Sequence, residues 1–244
     1  MKKTRRFLGA ITALMIAAST NARSAPSPTA PVAIVLVHGV LIDGSSWRGV
    51  YDVLTRDGYR VSIVQQPLTG LDEDVAATRR VLDQQDGPVV LVGHSYGGSI
   101  ITVAGSDPKV KALVYVAALQ PDVGETSSEV APPRPPASED LKQTKDGFVF
   151  LDPTKFAADF GADLPKAQAE FMAHSQMPVS GAAFNTKLTS AWHDKPSYVI
   201  IAAQDRALDP ERAHWMAKRA GSQVTVLRAS HAVPISQARA SSIP

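Results

Sequence analysis

Short, uninterrupted apolar runs recur along this chain and restrict the folds open to it. The first run, VAIVLV, covers residues 32–37, and another, VVLV, covers residues 89–92. A run in which every side chain is apolar is typical of a strand buried on both faces of a parallel sheet. Segments with helical spacing separate most of these runs, so we predict an α/β fold, a mostly parallel sheet with helices on both faces. The further predicted strands cover residues 61–64, 110–117, 197–203 and 224–227.

The alternation of strands and helices stops between residues 118 and 196. We predict that residues of about 122–195 form a helical cap inserted before the late strands. Six of the seven phenylalanines lie in this segment, and they either build a small core of the cap or line a ligand pocket. For the second interpretation, the predicted substrate contacts are Phe148, Phe150, Phe171 and Trp192.

Charge and cysteine content exclude several classes of protein. The 244 residues carry a formal net charge of +2, but the first 22 contain four basic residues and no acidic one. The remainder holds 21 basic and 23 acidic residues, which gives no electrostatic basis for a nucleic-acid partner. Because the chain has no cysteine, disulfides, thiolate nucleophiles and cysteine-ligated zinc are excluded.

The N-terminus is typical of an export signal. Basic residues at positions 2–6 precede an apolar stretch at 7–18 that is short for a membrane span, and small residues follow. We predict a signal peptide over residues 1–22, cleaved after Ala22 or, as second choice, after Ala25. The pair Arg5-Arg6 also resembles a twin-arginine signal, with one residue missing before Phe7.

Cleavage would leave a Pro/Ser-rich linker over residues 23–31 and a folded domain over residues 32–244. We therefore expect an exported protein, periplasmic or secreted, with no stable membrane insertion after processing.

Residues 93–98, GHSYGG, form the strongest functional motif. They follow the predicted strand at 89–92 and precede a predicted helix, which is the strand–turn–helix context of G-x-S-x-G. Such a turn projects the serine hydroxyl from the edge of the sheet, and glycines two residues away on either side avoid Cβ atoms that would crowd it. We predict Ser95 as a nucleophile, and the alternative is a plain glycine-rich connection.

A serine nucleophile needs a base to accept its proton, and the base needs an orienting carboxylate. Of the six histidines, His231 follows the last predicted strand, so it lies at the carboxyl edge of the sheet, where open parallel sheets bind ligands. We predict His231 as the general base, with a solvent-exposed loop histidine as the alternative.

The carboxylate is expected between the serine and the histidine, because this architecture uses the order Ser, acid, His. Asp205 almost directly follows the predicted strand at 197–203. Asp209 precedes a proline and an apolar helical stripe, which is typical of a helix N-cap. We therefore predict Asp205 as the acid, with Asp209 and Asp122 as the alternatives.

The negative oxygen of an acyl-transfer intermediate also needs two backbone N–H donors, an oxyanion hole. Tyr96 provides one at the start of the helix after the serine. The loop after the first strand, which begins His38-Gly39, should provide the other. We predict Val40 as that donor, with Leu41 as the alternative, and expect His38 to brace the loop.

These motifs together resemble the α/β-hydrolase superfamily, and the resemblance covers about residues 32–237. Residues 44–47, GSSW, and 230–233, SHAV, are similar to those of small cap-bearing esterases related to plant hydroxynitrile lyases and salicylate-type methylesterases. Relatives usually continue past the histidine into a terminal helix, for which the thirteen residues after His231 leave little room. The resemblance specifies the superfamily strongly and the substrate poorly.

We expect a serine hydrolase that cleaves carboxylic esters of small to medium hydrophobic substrates through an acyl-enzyme on Ser95, with no metal or organic cofactor. The first alternative is a lyase of the hydroxynitrile type, which would need a basic cap residue such as Lys187 or Lys195. The second is a catalytically inactive binding module. Perhydrolase or cofactor-free haloperoxidase activity would be a side reaction of the same acyl-enzyme.

Overall fold

The computed structural model describes residues 32–130 and 139–242. The predicted signal peptide and linker lie outside the described residues. Within the described residues there are nine strands: β1 (Ala33–Val37), β2 (Arg60–Val64), β3 (Val89–His94), β4 (Val110–Val116), β5 (Leu141–Gln143), β6 (Phe148–Leu151), β7 (Val179–Ser180), β8 (Ser197–Ala202) and β9 (Gln223–Leu227).

A short 3-10 helix, Gly44–Trp47, precedes the first α-helix. The α-helices are α1 (Arg48–Arg56), α2 (Leu71–Asp83), α3 (Gly97–Ala104), α4 (Ser127–Val130), α5 (Phe156–Asp159), α6 (Lys166–His174), α7 (Gly181–Asn185), α8 (Pro210–Ala220), α9 (Val233–Ser236) and α10 (Ala238–Ser241). No helix within residues 32–130 and 139–242 is both long and apolar enough to cross a membrane.

Six strands form the main sheet in the order β2-β1-β3-β4-β8-β9, and every neighbouring pair is parallel. The predicted parallel sheet is therefore confirmed. β3 runs two residues beyond its predicted end because Gly93 and His94 still pair with β4. Since all six strands run the same way, the loops that carry the predicted site residues leave the sheet at one edge.

Helices cover both faces of the main sheet. On one face α2, α3 and α8 bury side chains such as Leu82, Ile100 and Met216 against the strands. On the other face α1 and α9 bury Leu54 and Val233. After His231 the chain forms two helices of four residues each, α9 and α10, which pack on α1.

The predicted cap has its helices, but it also contains strands that the sequence analysis did not predict. The segment between β4 and β8 contains α4 to α7 and also a three-stranded antiparallel sheet, in the order β5-β6-β7. The sequence FVFL of β6 follows Asp146-Gly147, and Gly147 adopts a φ of +89° in the turn that joins β5 to β6. Asp-Gly between two short extended segments is a hairpin signal, and it accounts for these strands.

Candidate active site

Ser95 lies in a tight turn between β3 and α3. Its φ is +53°, in the left-handed region that residues other than glycine rarely adopt. A Cβ atom on Gly93 would lie 2.6 Å from the carbonyl oxygen of Gly97, and one on Gly97 would lie 2.6 Å from that of Val37. Both positions therefore require glycine, and the turn presents the serine hydroxyl at the carboxyl edge of the sheet.

The structure brings Ser95, His231 and Asp205 into one chain of contacts. His231 Nε2 lies 2.9 Å from Ser95 Oγ, and His231 Nδ1 lies 2.6 Å from Asp205 Oδ2. The other carboxylate oxygen of Asp205 accepts the backbone N–H groups of Ala207 and Leu208, each at 2.8 Å. His231 is 2% exposed and Asp205 is 8% exposed, so solvent has little access to the contact between them.

His94 supports the loop that carries His231. Its Nε2 lies 2.9 Å from the carbonyl oxygen of His231, which can only accept, so this nitrogen carries the proton. Burial, and then the proximity of His231, lower the pKa of His94 well below its ordinary value. A neutral His94 thus stays under the His231 ring, and the two ring centroids are 4.8 Å apart.

The loop after β1 lies directly against Ser95. A Cβ atom on Gly39 would lie 2.7 Å from the Cβ of Ser95. The next residues are Val40, which is half-buried, and Leu41, whose φ is +67°. The backbone of this loop therefore passes beside Ser95, while Tyr96 directly precedes α3, where the first N–H groups of a helix lack partners within it.

His38 braces this loop from inside the protein. Its Nδ1 lies 2.7 Å from the carbonyl oxygen of Gly39, and the side-chain amide of Gln66 donates to the carbonyl oxygen of His38. Burial lowers the pKa of His38, so its ring is neutral. The ring contributes hydrogen bonds to the loop and does not face the serine in any contact of the described residues.

A buried carboxylate anchors the side chain of Tyr96. Asp74 is fully buried on α2 and accepts the Tyr96 hydroxyl at 3.0 Å and the backbone N–H of Leu68 at 2.8 Å. Burial raises the pKa of Asp74 to about 6, against these two hydrogen bonds, and the neighbouring Glu73 adds to the rise. Tyr96, the residue after Ser95, is thereby tied to α2.

Two cap aromatics, Phe160 and Phe184, contact residues of the site. The Phe160 ring meets the His231 ring edge-on, with centroids 4.9 Å apart, and Phe184 lies 5.2 Å from the Tyr96 ring. Sequence reasoning missed these two roles, because no local pattern separates them from the other cap phenylalanines.

The four predicted substrate contacts have different surroundings. Phe150 packs in the cap cluster that includes Leu41, and Phe148 is half-buried on β6. Phe171 is 70% exposed and borders a cavity of about 380 Å³ between α6 and the loop after β1. Trp192 is 5% exposed, and its ring neighbours are His193 and Arg219, so it has little surface to offer a substrate and we withdraw it.

The alternative acids have other partners. Asp209 caps α8, accepting the backbone N–H of Glu211 at 3.1 Å. Asp122 lies 2.9 Å from His193 Nε2 on an exposed part of the cap. Within residues 32–130 and 139–242, no group of three or more His, Asp or Glu side chains could hold a metal ion.

The chain belongs to the alpha/beta hydrolase family, whose model matches residues 34–241. It is 26% identical over 219 residues to an alpha/beta hydrolase of Aspergillus novofumigatus, a match that covers 80% of this chain and 87% of that protein. It is 32% identical over 133 residues to a probable hydrolase of a Phoma strain, over about half of each protein, 51% and 52%. These relatives support hydrolase activity.

The narrower resemblance to methylesterases and hydroxynitrile lyases is also confirmed. Methylesterase 8 and an alpha-hydroxynitrile lyase, both of Arabidopsis thaliana, are 30% and 29% identical over 111 residues, which is 39% of this chain and 41% and 43% of those proteins. Among solved structures, a pyrethroid hydrolase from Sphingobium faniae superposes with a TM-score of 0.72 at 23% identity, covering 86% of this chain and 94% of that one. That likeness confirms the predicted fold.

Replacing Asp74 with Asn should change how stability depends on pH. The pKa of Asp74 rises from 3.8 to about 6 on folding. Between these two pH values the folded chain holds a proton on Asp74 that the unfolded chain has lost, so the free energy of unfolding falls as the pH rises through this range. Asp74→Asn stays neutral, so its free energy of unfolding should approach that of wild type near pH 4 and exceed it by up to about 3 kcal/mol at pH 8.

Urea unfolding at several pH values measures this difference. Asp72→Asn, on the exposed start of α2, is the control and should show no such trend. A constant difference between Asp74→Asn and wild type from pH 5 to pH 8 would contradict the assignment.

Proposed function

We propose that this protein is a serine hydrolase of carboxylic esters, in which Ser95 is the nucleophile, His231 the general base and Asp205 the orienting acid. The observation that carries the proposal is the continuous contact from Ser95 Oγ through the imidazole of His231 to the carboxylate of Asp205, at 2.9 and 2.6 Å. Membership of a family that contains hydrolases supports it.

In the proposed mechanism, Ser95 Oγ attacks the acyl carbon of the ester and passes its proton to His231 Nε2. Asp205 accepts from Nδ1–H, holding the required tautomer and stabilising the imidazolium that forms. The oxyanion receives the backbone N–H groups of Val40 and Tyr96. His231 then protonates the departing alcohol. A water molecule, deprotonated by His231, attacks the acyl carbon and releases the acid, and His231 returns this proton to Ser95 Oγ.

We propose that the substrate is a small to medium hydrophobic ester. Phe184, which is half-buried, lies against Tyr96, and the apolar side chains of Leu41, Phe171 and Met172 border the cavity beside the loop after β1, the same loop that passes Ser95. Removing apolar substrate surface from water contributes roughly 25 cal/mol per Å² to binding. Charged or sugar esters would gain less from such surroundings.

The geometry favours hydrolysis over the lyase alternative. Lys195 donates to the carbonyl oxygen of Val110 at 3.0 Å, at the start of β4 and so at the end of the sheet opposite Ser95. Lys187 is exposed on the cap. Neither lysine therefore has a contact that would place it over a substrate on Ser95. The relatives include a lyase, so cyanohydrin cleavage is the activity to assay beside ester hydrolysis.

Ser95→Ala should lose most of the activity toward an activated ester and all labelling by a fluorophosphonate. Triad deletions usually leave roughly 10³–10⁴-fold acceleration over water. Asp205→Asn should lower kcat by about 10⁴-fold with little change in unfolding temperature, because the imidazole loses the carboxylate that holds it in the required tautomer. Wild-type protein that is folded but neither labels nor hydrolyses esters would indicate a binding module.

Asp209→Ala is the matched control for Asp205. It should lower the free energy of unfolding by about 0.5–2 kcal/mol through loss of the α8 cap, with only a small effect on kcat. The reverse pair of phenotypes would assign the acid to Asp209.

The substrate proposal predicts a rising chain-length series. Each additional buried methylene should contribute up to about 0.8 kcal/mol, close to fourfold in kcat/KM. We expect kcat/KM to increase from p-nitrophenyl acetate to the butyrate and hexanoate. A flat or falling series, with polar esters equally good, would mean that the cap aromatics serve only to pack the cap.

We also propose that the protein is exported, on the basis of residues 1–22. Bacterial expression of the full chain should yield mature protein outside the cytoplasm that begins at Arg23 or at Pro26. N-terminal sequencing of the fractions measures this. An intact Met1 on active protein confined to the cytoplasm would contradict export.

A further inference from the structure

Asp163 lies in the cap, between α5 and α6, yet its carboxylate bonds to the segment that carries His231. One oxygen accepts the Ser230 backbone N–H at 3.1 Å and the Ser236 hydroxyl at 2.7 Å. The other accepts the hydroxyl of Ser230, the residue directly before His231. These three bonds join parts of the chain about 70 residues apart, since the contacts to Ser230 and Ser236 span 67 and 73 residues.

The same stretch of the cap also holds the residue after His231. The backbone N–H of Ala232 donates to the carbonyl oxygen of Phe160 at 3.0 Å. It also lies 3.2 Å from Ser230 Oγ, which can accept from it while donating its own proton to Asp163. Both chain neighbours of His231 are therefore bonded, directly or through Ser230, to cap residues 160–163.

The charge of the Asp163 carboxylate strengthens these hydrogen bonds. Burial acts to raise the pKa of Asp163, but the hydrogen bonds from Ser230 and Ser236 outweigh it and hold the pKa below its ordinary value. The carboxylate is therefore charged at neutral pH, and hydrogen bonds to a charged acceptor are stronger than those between neutral groups. Ser230 is 3% exposed, and Asp163 reaches it from an exposed position, so without Asp163 only solvent could accept from the Ser230 N–H and hydroxyl.

We infer that Asp163 is a positioning residue for the catalytic base: through Ser230 it fixes the backbone of His231, so that the cap and the triad assemble as one unit. This inference rests on the proposed function. Asp205 orients the imidazole ring and His94 bonds the His231 carbonyl oxygen, both from the main domain. Asp163 supplies the constraint on the chain immediately before His231, from the cap.

Loss of this anchor should reduce turnover without abolishing substrate binding. Without Asp163 the N–H and hydroxyl of Ser230 lose their protein acceptor, and the loop would shift to reach other partners. A displacement of the reacting groups by about 1 Å can cost up to roughly 10²-fold in rate.

The test compares Asp163→Ala and Asp163→Asn with Asp152→Ala. Asp152 is the matched control, a cap carboxylate that accepts the N–H and hydroxyl of Thr154 and bonds no residue of the segment from Ser230 to Ser236. For Asp163→Ala we expect kcat on a p-nitrophenyl ester and the rate of fluorophosphonate labelling to fall by roughly 10- to 100-fold, with KM within about twofold of wild type. Asp163→Asn should recover part of the loss, since its amide oxygen still accepts from Ser230. Asp152→Ala should match wild type.

Three outcomes would overturn the inference: unchanged kcat in Asp163→Ala, an equal loss of kcat in Asp152→Ala, or a raised KM with unchanged kcat. If Asp163→Ala does not fold, Asp163→Asn decides by the same measurements. Failure of the proposed function is distinguishable, because wild-type protein itself would then neither label at Ser95 nor hydrolyse the ester.

Discussion

The backbone of Ser95 is held in its left-handed conformation by hydrogen bonds on both sides of the turn. Its N–H donates to the carbonyl oxygen of Val116 at 3.3 Å, and its own carbonyl oxygen accepts from Gly98 at 2.9 Å and from Leu119 at 3.0 Å. These partners belong to α3, to the last residue of β4 and to the loop after it, so the parallel pairing of β3 with β4 sets the turn. The position of the serine hydroxyl depends on this pairing, and the residues that meet it must reach the same edge.

His231 lies at that edge on a loop that is contacted by both the main domain and the cap. The main domain contributes Asp205 and the neutral His94, and the cap contributes Phe160 and Asp163. Through these contacts the cap is bonded to the loop that carries His231. If the cap moved as a rigid body, the hydrogen bonds from cap residues 160–163 to Ser230 and Ala232 would have to break. Access to the site is therefore easier through parts of the cap away from residues 160–163.

The parts of the fold that the sequence predicts are those with a local signal. Apolar runs mark the strands of the main sheet, the glycines around Ser95 mark the turn, and the helix N-cap pattern of Asp209 before Pro210 separates it from Asp205. Asp163, Phe160 and Phe184 have no such signal, because their partners lie far along the chain. The β5–β6 hairpin did have one, Asp146-Gly147, but the runs beside it are short. The number of aromatic residues marked the cap segment in the sequence. It did not show which aromatic side chains, such as that of Trp192, turn toward the core.

The φ of +53° at Ser95 has a consequence for any attempt to engineer heat resistance into this protein. A non-glycine residue in such a conformation carries strain of about 1–3 kcal/mol, and glycine would relieve much of it. Laboratory evolution scored on surviving folded protein alone would therefore favour Ser95→Gly and select chains that lack the proposed nucleophile. A screen scored on residual activity after heating would, under that proposal, retain the serine and direct stabilising changes to other parts of the sheet and its helices.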